Sequence, residues 1–249
     1  MLFQAVLIKK IKTEGYKPKI YPVLTESNFL TKNILRWKIH KPLFKTFFPN
    51  LKFSNADLIS IIYSLFSFYF SKTIKRPFNK FLFTETDYDL HNSYHQCLHF
   101  MGYYQSKEFL SKNKQYVKHV ITELQKNIQT LDGDKIVFHF RGSDSNNLNE
   151  NINRLNSIIK TEEEITIITD DPSLLENNGF TPKSNNKIVN DSELNDFISL
   201  CSAKKKLYIS NSTFSWWASN LVSKDCTVYM GKNIYDELGY YGDGKLVVS

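Results

Sequence analysis

The second half of the chain alternates short apolar runs with segments that suit helices, and this alternation limits the fold more than any other feature. The apolar runs predict strands at residues 135–140, 165–169, 187–189, 207–209 and 227–230. The intervening segments predict helices at residues 148–159, 172–177, 192–202 and 213–222. Strands that alternate with helices form a parallel sheet. The fold class predicted for this half is therefore α/β, a parallel sheet with helices on both faces.

The first half is rich in Phe, Lys and Asn and has a weaker pattern. It predicts helices at residues 5–12 and 106–128 and strands at residues 17–23 and 97–101. The sequence LDGD at 131–134 predicts a turn between the halves. We therefore expect an N-terminal half at residues 1–130, with an incomplete first β-α unit, and a C-terminal half at residues 131–249.

Composition narrows the classes of protein to which the chain can belong. With 249 residues, 41% of them hydrophobic, the chain can bury real cores. The net charge of +7 favours anionic partners, but the chain has no block of five or six basic residues that would indicate a nucleic-acid-binding arm. Cys97, Cys201 and Cys226 are widely spaced and fit no metal-ligand pattern, which favours a reducing compartment.

The most apolar window, residues 58–70, bears on localisation. It is too short to span a bilayer and contains several serines. A buried helix is the simpler interpretation, while the basic residues at 72, 75 and 76 favour contact with an anionic membrane surface. The start of the chain lacks the apolar core of a signal peptide. We expect a cytoplasmic protein, with peripheral contact at the inner face of the membrane as the alternative.

Polar residues follow the first predicted strand of the second half, where ligands bind in parallel sheets. His139 and Arg141 are two residues apart, so on an extended chain they point to the same face. An arginine there could clamp a diphosphate through two hydrogen bonds, and Asp144 could fix that arginine. The alternative is a surface ion pair at the end of a strand.

Two carboxylates, Asp170 and Asp171, follow the second strand and precede Pro172. One is expected to cap the helix that Pro172 begins, and the other to accept hydrogen bonds from a guanine or a ribose. The alternative is that both serve only the helix start. No third carboxylate or histidine lies at a suitable spacing, so no metal site is predicted.

A run of small polar residues, SNSTFSWWA at 210–218, follows the fourth strand. Its side chains can satisfy free N–H groups at a helix start or contact a phosphate. The alternative is an ordinary helix cap, with Trp216 and Trp217 as core anchors. Together the three strand ends predict a pocket for a nucleoside diphosphate. The chain has neither GxxxxGK[ST] nor GxGxxG, which argues against ATP hydrolysis and dinucleotide chemistry.

Several of these segments resemble the α-1,2-fucosyltransferases, glycosyltransferase family 11. SNSTFSWWAS at 210–219 resembles the family signature, and HFRGSD at 139–144 resembles its H-x-R-x-G-D motif. FMGYYQSKEFL at 100–110 is similar to its G-Y-x-Q-S segment, and TDDP at 169–172 to its S/T-D-D turn. MLFQA at 1–5 is similar to the tail of its N-terminal G-G-L-G-N-Q-M-F-Q motif.

The resemblance implies a GT-B-like architecture, in which two Rossmann-like halves face a cleft. It implies an inverting, metal-independent transfer of fucose from GDP-fucose to the 2-hydroxyl of a galactoside. The acceptor would be a galactose-terminated surface glycan such as an O-antigen or capsule unit. No cofactor and no nucleic-acid partner are implied.

The resemblance also implies roles for individual residues. Arg141 would bind the diphosphate and stabilise the departing GDP as charge develops. His139 would shape the donor pocket, and Asp144 would brace Arg141. Either Asp170 or Asp171 would contact the guanine or its ribose. The donor phosphates would meet Ser210, Asn211, Ser212 and Thr213, and the acceptor side would be lined by Tyr103 and Gln105. No residue stands out as the catalytic base; the candidates are Glu85, Asp87, His91 and His95.

Two departures from the family pattern leave alternatives open. Gly142 stands where the family usually has a second arginine, and Ser143 where it has glycine. The Gly-rich loop that precedes the family's M-F-Q is not in the sequence, so we expect a start site further upstream, a naturally shortened protein or an inactive one. The alternatives to fucosyl transfer are another GDP-sugar transferase and a non-catalytic relative that binds a GDP-sugar.

Overall fold

The chain divides into two compact units, residues 1–116 and 117–249. The computed structural model describes residues 2–13, 82–83, 99–100, 106–128, 134, 136–142, 148–162 and 164–248.

The first unit contains a largely buried N-terminal helix and a short parallel strand pair. Helix α1 (Leu2–Thr13) includes the helix predicted at 5–12 and buries most of its apolar side chains. Strand β1 (Leu82–Phe83) pairs in parallel with β2 (His99–Phe100), which confirms a strand within 97–101. The strand predicted at 17–23 and the apolar window at 58–70 lie outside the described residues.

The single helix predicted at 106–128 is wrong, because the segment forms two helices. These are α2 (Lys107–Lys112), capped by the Ser106 hydroxyl, and α3 (Lys114–Asn127). Between them, the Asn113 side chain donates from Nδ2 to the Phe109 carbonyl at 2.8 Å. An asparagine that bonds to nearby backbone competes with the helical pattern, which explains the break.

The second unit is built on a six-stranded sheet in which every neighbouring pair is parallel. The strands are β3 (Ile136–Phe140), β4 (Thr166–Thr169), β5 (Lys187–Val189), β6 (Lys206–Tyr208), β7 (Thr227–Met230) and β8 (Lys245–Val248). Their order across the sheet is β5-β4-β3-β6-β7-β8. The chain therefore builds outward from β3 to one edge and then returns to add β6 on its other side. This is the Rossmann-like order, and its topological switch point lies between β3 and β6.

Helices cover both faces of this sheet. Those between β3 and β8 are α4 (Leu148–Thr161), α5 (Pro172–Asn177), α6 (Glu193–Cys201), α7 (Thr213–Ser219) and α8 (Lys232–Leu238). On one face, α4 and α5 bury apolar residues such as Leu155 and Leu175 in a cluster with Phe138 and Phe140. His139 points to the opposite face, where its ring lies 5.8 Å from that of Phe214 in α7. Phe197 of α6 contacts Phe214 edge to face, so α6 and α7 share this second face.

The α/β class and the parallel sheet predicted for the second half are confirmed, and all five predicted strands are present. Strand β8 and helix α8 were not predicted. Strand β8 is an edge strand in which Val247 and Val248 are exposed, so it lacks the buried apolar run that marks the other strands. Over the ranges described above, no helix combines the length and apolarity needed to cross a bilayer.

Candidate functional site

The candidate site lies at the carboxyl ends of β3 and β6, at the switch point of the sheet. Strand β3 ends at Phe140 and is followed directly by Arg141 and Gly142. Strand β6 ends at Tyr208, and residues 210–213, here called the 210–213 turn, lead into α7. Crevices at such positions are where open parallel sheets bind ligands. Residues distant in sequence therefore meet in the place expected of a binding site.

His139 and Ser210 form the buried centre of this site. The Nδ1 atom of His139 and the Oγ atom of Ser210 share a hydrogen bond of 2.7 Å. Burial, reinforced by the positive charge of Arg141, lowers the pKa of His139 from 6.5 to about 4, against an opposing effect of Asp170. The imidazole is therefore neutral at physiological pH, and it accepts or donates at Nδ1 without adding charge to the site.

Arg141 reaches the same turn two residues further along. Its Nη1 atom donates to the Oγ of Ser212 at 3.3 Å. The prediction that His139 and Arg141 point to one face is thus confirmed, since both side chains contact the 210–213 turn. The guanidinium is only half-buried, so it combines a fixed position with access from solvent.

Hydroxyl groups hold the 210–213 turn in its conformation. The Ser212 side chain caps α7 by accepting from the Phe214 N–H at 3.3 Å. The buried Ser215 hydroxyl lies 3.3 Å from the carbonyl oxygen of Ser210 and 3.2 Å from that of Ser212. Ser210 and Ser212 are buried, whereas Asn211 and Thr213 are exposed. The turn thus directs two hydroxyls into the site and two polar side chains toward solvent.

The two tryptophans of the same segment are core anchors, as the helix-cap interpretation predicted. Both indoles are buried and pack edge to face, with ring centroids 5.0 Å apart. Trp216 donates from Nε1 to the carbonyl of Gly239 at 2.7 Å. Gly239 has a φ of 74°, which favours glycine, so its carbonyl is aimed by a backbone conformation that other residues rarely adopt. These contacts tie α7 to the segment before β8.

The two aspartates after β4 have different roles. Asp171 caps α5, accepting from the Ser173 N–H at 3.0 Å, with Pro172 in the first helical turn. The prediction that one of the pair caps this helix is confirmed. Asp170 accepts from the N–H of Gly142 at 3.0 Å and so joins the end of β4 to the end of β3. Its contact with a guanine or ribose stays a prediction.

A side chain at position 142 would require the Leu174 side chain to move. A Cβ atom would lie 2.5 Å from Cδ1 of Leu174 and 3.2 Å from Cε1 of Phe140. Leu174 thus fills the space into which a larger residue would project. This is the position at which the fucosyltransferase pattern has its second arginine.

Two charged side chains of the second unit, which are buried or half-buried, were not predicted from the sequence. Arg154 of α4 donates from Nη1 to the carbonyl of Ile209 at 3.0 Å and from Nη2 to that of Tyr229 at 3.4 Å. Asp196 in the first turn of α6 is buried, and burial raises the pKa of its carboxyl group. Asp196 could have been identified from the sequence, because it is a charged residue at a position where the helical spacing of apolar residues predicts a buried side chain. Arg154 had no comparable signal, because its contacts join distant parts of the chain.

The remaining predicted site residues lie outside the described residues, namely Tyr103, Gln105, Asp144 and the candidate bases Glu85, Asp87, His91 and His95. Among the side chains that are described, no group of three or more His, Cys, Asp or Glu is arranged to hold a metal ion. The metal independence of the expected reaction stays a prediction.

Comparisons of the chain with protein-family models, with curated proteins and with solved structures find no match.

Proposed function

We propose that the chain is a glycosyltransferase that takes fucose from GDP-fucose and transfers it, with inversion and without a metal, to the 2-hydroxyl of a galactoside. The acceptor in this proposal is a surface glycan, such as an O-antigen or capsule unit, assembled at the cytoplasmic face of the membrane. In this proposal residues 131–249 are the donor-binding half of a GT-B-like enzyme, and residues 1–130 contribute the acceptor side.

One observation carries this proposal. The side chains of His139 and Arg141 meet the hydroxyls of Ser210 and Ser212 at the switch point of a parallel sheet. These are the segments that resemble the fucosyltransferase motifs. A cation and several hydroxyls at this point suit the diphosphate of a nucleotide-sugar.

In the proposed reaction, Arg141 binds the diphosphate and offsets the negative charge that grows on GDP as the glycosidic bond breaks. A fixed guanidinium stabilises that charge without reorganising at the moment of reaction. His139 remains neutral and holds Ser210 in place. Of these two residues, Arg141 alone therefore contributes a positive charge to the pocket. The exposed Asn211 and Thr213 add polar contacts to the phosphates, and Asp170 or Asp171 contacts the guanosine.

Gly142 favours a second candidate, a protein that binds a GDP-sugar with a different donor sugar or without turnover. The resembled family has two adjacent arginines, and here Leu174 fills the space next to the second position. With one cation fewer, the phosphates are held by Arg141 and the hydroxyls of the 210–213 turn.

Nucleotide binding is the first test. GDP in buffer with EDTA should raise the melting temperature of the protein, because a ligand that binds only the folded state stabilises it. Arg141→Ala should weaken GDP binding by about 2 kcal/mol, roughly 30-fold, since it removes a charge-assisted hydrogen bond. Lys187→Ala is the matched control. This exposed lysine is the first residue of β5, an edge strand that lies two strands away from β3. Its removal should therefore leave GDP affinity unchanged.

Both candidate functions predict GDP binding, so an assay of fucose transfer is needed to distinguish them. Incubation with GDP-fucose and a β-galactoside should release GDP and yield a 2-linked fucoside. Binding of GDP without release from GDP-fucose would favour the second candidate. No thermal shift at millimolar GDP, or equal GDP affinity in the wild type and Arg141→Ala, would refute the donor site as assigned.

A further inference from the structure

The backbone between β6 and the 210–213 turn accepts a hydrogen bond from a helix on the other face of the sheet. Ile209 is the residue between β6 and Ser210, and its carbonyl accepts from Arg154 Nη1 at 3.0 Å. Arg154 belongs to α4, which packs on the face opposite to α6 and α7. Its guanidinium therefore reaches the carboxyl edge of the sheet and contacts the peptide immediately before the site.

The same guanidinium also contacts the neighbouring strand. Arg154 Nη2 donates to the carbonyl of Tyr229 at 3.4 Å, and that carbonyl accepts from the N–H of Ile209 at 3.1 Å. A guanidinium is planar and permanently charged, and its donors have fixed directions. Two carbonyls from β7 and the end of β6 are thereby set relative to each other by one rigid group.

The side chains that follow this peptide are those that form the candidate site. Ser210, directly after Ile209, bonds to His139 at 2.7 Å, and Ser212 accepts from Arg141 at 3.3 Å. The position of Ile209 sets the direction in which the chain leaves the sheet. It therefore determines whether these two hydroxyls reach their partners on β3.

We propose that Arg154 is a positioning residue, which fixes the exit of the chain from β6 and so places Ser210 and Ser212 for the donor phosphates. The placement of the turn follows from the hydrogen bonds alone, whereas its use for phosphates rests on the proposed function. Arg154 acts through Ile209 and is not assigned a contact with the substrate.

The test compares Arg154→Met and Arg154→Lys with Lys160→Met, a control that removes an exposed positive charge from the last turn of the same helix. The first measurement needs no ligand: it is the titration midpoint of the His139 imidazole, followed by NMR and assigned with His139→Asn. The charges that act on this imidazole are those of Arg141 and Asp170. Loss of Arg154 therefore affects His139 through movement of Ser210 and entry of water.

In the wild type and Lys160→Met, the midpoint should lie at about 4. In Arg154→Met it should rise by about one pH unit or more, because a displaced Ser210 leaves the ring better solvated. Arg154→Lys keeps the charge and a single donor group, so its midpoint should be intermediate. The second measurement is the dissociation constant of GDP, which should increase about tenfold or more in Arg154→Met and less in Arg154→Lys.

The outcomes separate this inference from the proposed function. If the wild type does not bind GDP, the proposed function fails, and the His139 midpoint alone decides whether Arg154 places the turn. A lower melting temperature with unchanged midpoint and unchanged GDP affinity would make Arg154 a stabilising residue only and overturn the inference. If Arg154→Met does not fold, Arg154→Lys decides by the same two measurements: values equal to those of Lys160→Met overturn the inference.

Discussion

The buried neutral histidine predicts a specific loss of stability in mild acid. In the folded protein the pKa of His139 is lowered to about 4, mainly by burial, while in the unfolded chain it takes its ordinary value of 6.5. Between these values the unfolded state binds a proton that the folded state does not. The free energy of unfolding must therefore rise with pH through this range and fall as the pH drops from 6.5 to 4.

The size of this effect follows from the pKa difference. A shift from 6.5 to about 4 corresponds to about 3 kcal/mol, with a slope of at most about 1.4 kcal/mol per pH unit. Substitution by asparagine removes the titrating group and keeps a polar atom near the position of Nδ1. The advantage of the wild type over His139→Asn should therefore shrink by about 3 kcal/mol between pH 7 and pH 4.

The assay is urea unfolding followed by tryptophan fluorescence. Two of the three tryptophans, Trp216 and Trp217, are buried beside the site, and a Trp37→Phe background restricts the signal to them. Other groups also titrate in this range, but they are common to both proteins and cancel in the difference. If the two pH profiles run parallel to within about 0.5 kcal/mol, the imidazole is not held neutral by burial and the reasoning fails.

Two further predictions test the packing around the site. Gly142→Ala should cost at most about 1 kcal/mol of stability, because its Cβ would lie 2.5 Å from Cδ1 of Leu174, the end of a half-buried side chain that has to turn away. Leu174→Ala should lessen that cost in a double-mutant cycle, measured by urea unfolding, and strictly additive effects would contradict the collision. Trp216→Phe should cost about 2 kcal/mol, because it leaves the Gly239 carbonyl without its indole donor and opens space in the core. A loss below about 0.5 kcal/mol in the same assay would show that this bond does not anchor α7.

The fold of the second unit was predictable because its central strands are apolar and buried. Strand β4, for example, is buried throughout, and its central Ile167 and Ile168 follow the buried Ile165, which gives the largely apolar segment expected of a strand in a covered sheet. The break at Asn113 was not predictable from periodicity, since the apolar spacing continues across it while a local hydrogen bond ends α2. Strand β8 was missed for a different reason: it is half exposed, and its place in the sheet comes from pairing with β7.

The candidate site was predictable as a set of strand ends but not as a network of contacts. The two-residue spacing of His139 and Arg141 predicted their common face, because side chains alternate along a strand. Which hydroxyl each one meets depends on the register between β3 and β6, in which Phe138 lies beside Tyr208. The register between β3 and β6 cannot be predicted from a local sequence pattern, because the two strands are far apart in the chain. The neutral state of His139 depends on this register as well, whereas the contacts of Arg154 depend on the packing of α4 and on the pairing of β6 with β7.

The separation in sequence between the two sides of the site has a consequence for how the protein folds. The bonds from His139 to Ser210 and from Arg141 to Ser212 each join residues 71 positions apart. Strand β6 must return past β4 and β5 to lie beside β3, so the site forms only after a large loop has closed. Such non-local contacts slow folding. A partly folded chain that has assembled only β3, β4 and β5 contains no site, so binding of the proposed nucleotide would report the docking of β6 beside β3.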